Sequence, residues 1–272
     1  MSRRDRPVIA FSANLGFLWT DRPLPDAVEA AAAAGFDAVE CHMPYAYDPA
    51  EVGRVLDATG LDMVSLNTRI GDRPDEFGVA AIPGREVLAR QYIDEAVSYA
   101  VAIGCRKVSV VAGITGRTAE AEATYRGNLR YAADQAAPHG VQILIEPLNT
   151  GISEDYHLVS ADRGVETIAA VGAPNLKLMV DCFHTYRMDG DLRSVFERVL
   201  PHVGHVQFAS YPDRAEPDHG DVDYSTLLPW LSDAGFEGPF GAEYTPAGTV
   251  EEGLSWMDSW RPGCAENGGV HP

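Results

Sequence analysis

Four polar residues each end a short apolar run, and their side chains are of the kinds that bind a hard metal ion. They are Glu146 after residues 143–145, Asp181 after 178–180, Gln207 after Val206, and Glu243 after 240–242. Carboxylates that converge repel each other unless a cation neutralises them. Carboxylate and amide oxygens suit Mg²⁺ or Mn²⁺ better than Zn²⁺. The pattern predicts a divalent metal site, although any one of these acids alone could instead cap a helix or pair with an arginine.

The elements that must bring these residues together alternate along the whole chain. Amphipathic, alanine-rich segments at 24–34, 86–103 and 118–137 predict helices, and short β-branched runs predict strands. The strands are predicted at 8–12, 38–41, 63–67, 107–111, 142–146, 176–181, 205–208 and 240–243. Eight apolar strands, each followed by a helix, predict a single α/β domain, the (β/α)₈ TIM barrel. A doubly wound sheet is disfavoured because no GxGxxG motif follows the first strand.

Composition and charge exclude several classes of partner. The chain has 272 residues, of which 46% are hydrophobic and 22% charged, so we expect a substantial core and no global disorder. Its 40 acidic residues against 21 Lys and Arg give a net charge of −19. This charge repels phosphate backbones and anionic lipid, which disfavours nucleic acid and membranes as partners. A small-molecule substrate that is anionic stays compatible, because one local arginine or metal ion outweighs a screened global field.

The chain carries no sequence signal for export or membrane insertion. The N-terminal residues lack the apolar segment of a signal peptide, and no run approaches the roughly 18 apolar residues of a transmembrane helix. The four cysteines are scattered without a CxxC motif, which indicates a reduced, cytoplasmic protein. We predict one barrel domain over residues 1–260 and a flexible tail over 261–272, and a homo-oligomer is compatible with the sequence.

Further residues follow the predicted strands, at the end where a barrel binds its ligand. His184, three residues after Asp181, either polarises a substrate oxygen or packs against the rim. Arg214 lies in a polar loop after the seventh strand and is either solvated or holds an anion above the acidic site. Phe17 and Trp19 follow the first strand and form either a pocket wall or ordinary rim packing. Glu40 and His42 lie at the end of the second predicted strand, and Asn67 lies at the end of the third. His42 and Asn67 are the remaining candidate substrate contacts.

Short motifs recur along nearly the whole chain. They are FSANL (11–15), AAAAGFDAVE (31–40), AIPGRE (81–86), IEPLN (145–149), DCFH (181–184), GHVQ (204–207), EPD (216–218) and EY (243–244). Together they resemble the hydroxypyruvate isomerase family, which belongs to the wider xylose isomerase-like TIM barrels. The resemblance extends from about residue 8 to residue 260. PGRE and GHVQ are the more specific motifs, because the related ketose 3-epimerases generally place histidine where Gln207 stands.

The resemblance implies an aldose–ketose type isomerase with a divalent metal cofactor, Mg²⁺ or Mn²⁺. It assigns the metal to the four strand-end residues named above, and proton transfer to Glu146 and Glu243. The implied reaction passes through a metal-bound enediolate of a small hydroxy-oxo acid, most directly hydroxypyruvate to tartronate semialdehyde. His184 would bond a substrate oxygen, and Arg214 would hold the substrate carboxylate.

Several alternatives stay open from the sequence. A 2-oxo-tetronate isomerase, or a ketose 3-epimerase acting on free sugars, would use the same superfamily chemistry. His42 and the segment NTGISEDYH (149–157) depart from the usual family pattern at the mouth of the barrel. These departures leave the identity of the substrate open, but not the type of reaction. A non-catalytic barrel that serves as a binding subunit is disfavoured, because an idle site needs no clustered carboxylates. Endonuclease activity is disfavoured, because the related endonucleases need a histidine-rich zinc cluster and a basic face, and this chain is acidic.

Overall fold

The eight predicted strands form a closed parallel barrel. The structure, a computed structural model, describes residues 9–73 and 76–260. Each strand pairs with its neighbours in chain order, and the first pairs with the last. The strands are β1 Phe11–Asn14, β2 Ala38–Cys41, β3 Asp62–Asn67, β4 Lys107–Ser109, β5 Gln142–Ile145, β6 Leu176–Asp181, β7 Val203–Phe208 and β8 Phe240–Ala242. The prediction of a single (β/α)₈ barrel is confirmed.

Helices connect the strands around the barrel. They are α1 Leu24–Ala33, α2 Pro49–Thr59, α3 Glu86–Ile103, α4 Ala119–Ala136, α5 Ala161–Val171, α6 Cys182–Asp189, α7 Leu192–Val199, α8 Tyr224–Asp233 and α9 Ser255–Trp260. The three helices predicted in detail agree with the structure to within one residue at each end. Thr118 lies just outside α4 because its side chain caps the helix by accepting a hydrogen bond from the backbone nitrogen of Ala121.

The positions at which the strands end determine where the polar site residues lie. β1 extends to Asn14 instead of ending at residue 12, because its register pairs Asn14 with Glu40 on β2. β5 and β8 each end one residue before the predicted glutamate, so Glu146 and Glu243 begin loops. Asp181 is both the last residue of β6 and the N-cap of α6. The polar residues therefore gather at the carboxyl ends of the strands, as expected of this fold.

Aromatic rings pack where the first and last strands meet. Phe11 on β1 and Phe208 on β7 both lie edge-on to Trp256 on α9, with ring centroids 5.0 Å and 5.5 Å away. Trp260 lies 6.2 Å from Phe11 and 6.1 Å from Phe208. Each such pair contributes about 0.5–1.5 kcal/mol beyond its buried area. This aromatic cluster (Phe11, Phe208, Trp256 and Trp260) packs the first strand of the barrel against β7 and the C-terminal helix α9.

The domain bounds stay a prediction, because the proposed tail at 261–272 lies outside the described residues. The predicted location in the cell likewise rests on the sequence. Over 9–73 and 76–260, none of the helices combines the length and the apolar character that crossing a bilayer requires.

Candidate active site

A cavity of about 140 Å³ opens at the carboxyl ends of the strands. Two predicted metal ligands, Asp181 and Gln207, are buried on the neighbouring strands β6 and β7. Six other predicted site residues line the cavity itself. The predicted residues that line the cavity are His42, Asn67, Glu146, His184, Arg214 and Glu243.

Glu146 presents a carboxyl group that is free to react. It is partly buried, whereas Asp181 and Glu243 are fully buried. Its oxygens form no hydrogen bond or ion pair with any residue that the structure describes. Burial raises the pKa of Glu146 well above its usual value, and the negative charges of Glu243 and Asp181 raise it further. A carboxyl group of this kind can accept a proton or bind a cation.

Arg214 lies between the other two carboxylates and neutralises part of their charge. Its Nη2 donates to Oδ2 of Asp181 at 2.9 Å and to Oε2 of Glu243 at 2.8 Å. Burial raises the pKa of Asp181 to about 7, although the guanidinium opposes that rise. Burial also acts to raise the pKa of Glu243, but Arg214 and a hydrogen bond from His42 outweigh it and hold this pKa at about 2. The two acids thus sit in different electrostatic environments around one guanidinium.

Two further side chains hold the second oxygen of Glu243. His42 Nε2 lies 2.7 Å from Oε1, and Asn14 Nδ2 donates to the same atom at 3.0 Å. His42 therefore reaches the site through Glu243, in addition to lining the cavity. Sequence reasoning missed Asn14 because it ended the first strand too early. The rule that strand-end residues face the mouth finds Asn14 once β1 ends at residue 14.

Aromatic rings fix the position of the Arg214 side chain. Its guanidinium carbon lies 4.7 Å from the ring centre of Phe17 and 5.0 Å from that of Phe183. Cation–π contacts of this kind contribute about 0.5–2 kcal/mol. Nε of Arg214 is buried and has no hydrogen-bond partner among the described residues. Phe17 also lines the cavity, and the pocket-wall alternative describes its placement.

The loop that carries Arg214 depends on Gly220. A Cβ atom at Gly220, where φ is +86°, would overlap the carbonyl oxygen of Tyr211. At Gly235, φ is +99° and no atom lies within 4 Å of the Cβ position. Both substitutions by alanine incur the cost of positive φ, but only Gly220→Ala adds a backbone clash. We expect Gly220→Ala to lower the free energy of unfolding by about 1–2 kcal/mol more than Gly235→Ala in denaturant titrations. Equal losses would contradict this.

His184 is held as a neutral imidazole. Its Nδ1 lies 2.5 Å from Nδ2 of Asn149 and 3.4 Å from the backbone nitrogen of the same residue. Because both Asn149 atoms are donors, Nδ1 is the acceptor and the ring proton sits on Nε2, 3.5 Å from Oδ2 of Asp181. Burial lowers the pKa of His184 to about 3. The residue is therefore a hydrogen-bond donor at the cavity rather than a source of positive charge.

The donor atoms at this end of the barrel suit a divalent cation. Ligating atoms of Glu146, Asp181 and His184 lie within 4.8 Å of one another. Oε1 of Gln207 is buried and has no hydrogen-bond partner in the described part of the chain. An unpartnered amide oxygen beside carboxylates is the kind of group that a hard cation binds. The four-residue ligand set from the sequence stays a prediction. His184 lies close to it, but its Nε2 carries the ring proton and its Nδ1 accepts from Asn149.

Trp19 is the predicted substrate contact that does not line the cavity. Its indole Nε1 donates to Oε1 of Glu251 at 2.8 Å, and its ring packs edge-on against Phe36 at 6.0 Å. A buried indole N–H needs an acceptor, and the one it finds lies in the segment before α9. The rim-packing alternative given for Trp19 describes this placement.

The family described as xylose isomerase-like TIM barrel matches residues 28–260. The chain belongs to this family. Among its xylose isomerase-like relatives, the 2-oxo-tetronate isomerase of Pectobacterium atrosepticum is 39% identical over 92% of this chain and 97% of that protein. The hydroxypyruvate isomerase of Escherichia coli is 36% identical over 93% of this chain and 100% of that protein. The hydroxypyruvate isomerase resemblance found in the motifs is confirmed.

A solved structure gives the same result for the barrel. The crystal structure described as an AP endonuclease of family 2 from Brucella melitensis matches with a TM-score of 0.90 and 39% identity. The match covers 93% of this chain and 99% of that chain. The xylose isomerase-like architecture therefore extends over nearly the whole of both proteins.

Proposed function

We propose that this chain is an isomerase of small hydroxy-oxo acids, with hydroxypyruvate and tartronate semialdehyde as the favoured pair. The observation that carries the proposal is that Glu146, with free oxygens, lines the same small cavity as the Arg214 guanidinium. The reaction needs a group that accepts a carbon-bound proton and a cation that holds the carboxylate. The names of two near-full-length relatives, a 2-oxo-tetronate isomerase and a hydroxypyruvate isomerase, support it.

Proton transfer is the central step of the proposed reaction. Glu146 removes a proton from the carbon that bears the hydroxyl group, and the released electron pair forms the double bond of an enediolate. The hydroxyl proton moves to the former oxo oxygen, and a carboxyl group returns a proton to the neighbouring carbon. Glu243 is the second carboxyl group at the cavity, and the hydrogen bonds from His42 and Asn14 fix its orientation.

Charge stabilisation is the second requirement, because the enediolate carries more negative charge than the substrate. Arg214 binds the substrate carboxylate with N–H groups other than those given to Asp181 and Glu243, and Nε2 of His184 donates to a substrate oxygen. A divalent cation, Mg²⁺ or Mn²⁺, would supply Lewis-acid stabilisation of the substrate oxygens when bound. The residues that would hold it are Glu146, Asp181, Gln207 and Glu243.

A 2-oxo-tetronate isomerase is the second candidate. One relative of this chain bears that name at 39% identity. Three exposed apolar side chains, Met43, Phe77 and Ile152, also line the cavity and leave its outer side open to a fourth carbon. Asn67 and His42 are the polar lining residues that would contact the added hydroxyl group.

Nuclease activity is not proposed, although the Brucella structure is described as an endonuclease. The net charge of −19 repels a phosphate backbone. The histidines near the cavity, His42 and His184, each bond a neighbouring protein side chain.

The activity is tested with a panel of hydroxypyruvate, a 2-oxo-tetronate and a free ketose, each with Mg²⁺ and with Mn²⁺. Turnover of one of the two oxo-acids is expected, with solvent deuterium appearing at carbon in the product. Turnover of the ketose alone would contradict the proposed substrate class. Product formed in D₂O without carbon-bound deuterium would contradict the enediolate.

Metal binding is tested separately through stability. We expect Mg²⁺ or Mn²⁺ to raise the melting temperature of the wild-type protein, because a ligand that binds only the folded state stabilises it. Asp181→Ala should lose that rise, since it removes a predicted ligand, whereas the control Asp134→Ala changes an exposed helix residue and should retain it. Thermal unfolding in EDTA and in excess metal gives the comparison. The same rise in Asp181→Ala as in wild type would exclude this residue as a ligand.

A further inference from the structure

A buried carboxylate lies beneath the site and takes no part in the reaction proposed above. Glu40, on β2, is 1% exposed. Its Oε2 lies 2.5 Å from Nε2 of His205 and accepts from Oγ of Ser65 at 3.1 Å. Its Oε1 accepts from Nε2 of Gln207 at 3.2 Å. Three donors from two strands, Ser65 on β3 and His205 and Gln207 on β7, therefore converge on one carboxylate.

The hydrogen-bonding chemistry of this carboxylate fixes which way the Gln207 amide faces. A carboxylate only accepts hydrogen bonds, so the amide must turn its Nε2 toward Glu40. Oε1 of Gln207 then faces away from Glu40, is buried, and has no partner among the residues that the structure describes. Rotating the amide by half a turn would set its oxygen against the carboxylate. Glu40 thus selects one of two amide orientations, the one that leaves an acceptor for a ligand.

The surroundings keep the two oxygens of Glu40 in separate roles. Nδ1 of His205 has no partner among the described residues, which assigns the ring proton to Nε2 and makes His205 a donor to Oε2. On the other side, Gly241 of β8 approaches so closely that a Cβ atom would overlap Oε1 of Glu40 and lie 2.9 Å from Cγ of Gln207. Gly241 therefore packs directly against the pair, and a larger residue there would displace the carboxylate or the amide.

We propose that Glu40 is a positioning residue that orients the Gln207 amide so that Oε1 is available to the divalent cation. This inference rests on the proposed function, because it takes Gln207 as a metal ligand. Glu40 does not touch the substrate. Partners that orient metal ligands commonly change metal affinity by 10–100-fold when they are removed.

The test measures Mn²⁺ affinity directly, by electron paramagnetic resonance of free Mn²⁺, in the full-length protein without substrate. Glu40→Leu removes both oxygens and lets the amide rotate, so we expect the dissociation constant to rise at least ~10-fold. A second change, Gln207→Glu, replaces the amide by a carboxylate whose two oxygens are equivalent and need no orientation. The double variant E40L/Q207E should therefore recover most of the lost affinity. Because the added carboxylate also attracts Mn²⁺ by its charge, Gln207→Glu alone is measured in parallel. The rescue supports the inference when Q207E gains less affinity over wild type than E40L/Q207E gains over E40L.

The control variant is Ser65→Ala, which removes another hydrogen bond to the same carboxylate and should leave the Mn²⁺ dissociation constant within threefold of wild type. An unchanged constant in E40L would overturn the inference, and so would an E40L/Q207E variant that binds as weakly as E40L. If E40L does not fold, E40Q and E40Q/Q207E replace the pair. In E40Q, one carbonyl must serve both Gln207 and His205, so at least ~3-fold weaker binding is expected, and unchanged binding would again overturn the inference.

The outcome also separates this inference from the proposed activity. Wild-type protein that binds no Mn²⁺ would refute the metal site of the proposed function, and with it the role given to Glu40. Wild-type protein that binds Mn²⁺ but isomerises no oxo-acid would refute the activity and leave the positioning role supported by the affinity data.

Discussion

Glu146→Gln is expected to lower kcat for the oxo-acid substrate by at least ~10²-fold, the usual scale for loss of a positioned acid or base. Glu146 is the cavity carboxyl group without a hydrogen-bond partner among the described residues, so its oxygens are available to a substrate proton. Glutamine retains an oxygen and the shape of the side chain but cannot take the proton. Steady-state kinetics, with the Mn²⁺ dissociation constant measured in parallel, give the result.

The control for this variant is Glu166→Gln, the same substitution on a side chain that is 61% exposed on α5. It should leave kcat unchanged. Glu243→Gln should also lower kcat by about 10²-fold or more if both carboxyl groups act on the proton. A Glu146→Gln enzyme that turns over at the wild-type rate would exclude this residue from proton transfer. A loss that disappears at saturating metal would instead assign Glu146 to metal binding alone.

Arg214→Met is expected to lower the ratio of kcat/KM for hydroxypyruvate to kcat/KM for a free ketose by tenfold to a hundredfold. A charge-assisted contact with the substrate carboxylate contributes about 1.5–3 kcal/mol, and about 1.4 kcal/mol is a factor of ten. A neutral ketose does not depend on the charge in this way. Kinetics with both substrates in wild type and variant provide the ratio.

The structure adds a second expectation for Arg214→Met. Its Nη2 bonds both Asp181 and Glu243, and removing one partner of a buried ion pair typically costs about 3–5 kcal/mol. The metal-free variant should therefore unfold more easily than wild type. Arg85→Met is the matched control, because Arg85 also pairs with two acids, Asp72 and Glu76, away from the cavity. If the substrate ratio stays unchanged while stability falls, Arg214 serves only to neutralise the carboxylates.

The barrel could be predicted because its strands are covered on both faces, so each one is a short, continuously apolar run. The residue at which β1 ends could not be predicted in this way. Its end at Asn14 follows from pairing with Glu40 on β2, which is a tertiary property that local hydrophobicity does not encode. The same limit applies to β5 and β8, which end just before the glutamates that the sequence included in them.

The site was predictable to the extent that strand ends share one edge of the barrel. That rule brought Glu146, Asp181 and Glu243 together. It could not show that Arg214 donates to both Asp181 and Glu243, because the path of a long loop depends on contacts such as those with Phe17 and not on periodicity. Trp19 illustrates the converse, since its position after a strand did not determine the direction of its side chain.

Closure of the barrel has a consequence for how the protein is made. β1 pairs with β8 as well as with β2, and the aromatic cluster packs Phe11 against α9. The first strand can therefore complete its contacts only after β8 and α9 have been synthesised. Until then the nascent sheet has an open edge, which other chains can pair with. Contacts between such distant segments also form slowly, because the entropy of closing the chain is lost before the contacts stabilise it. The barrel can therefore close, and leave no unpaired strand edge, only after β8 and α9 have been translated.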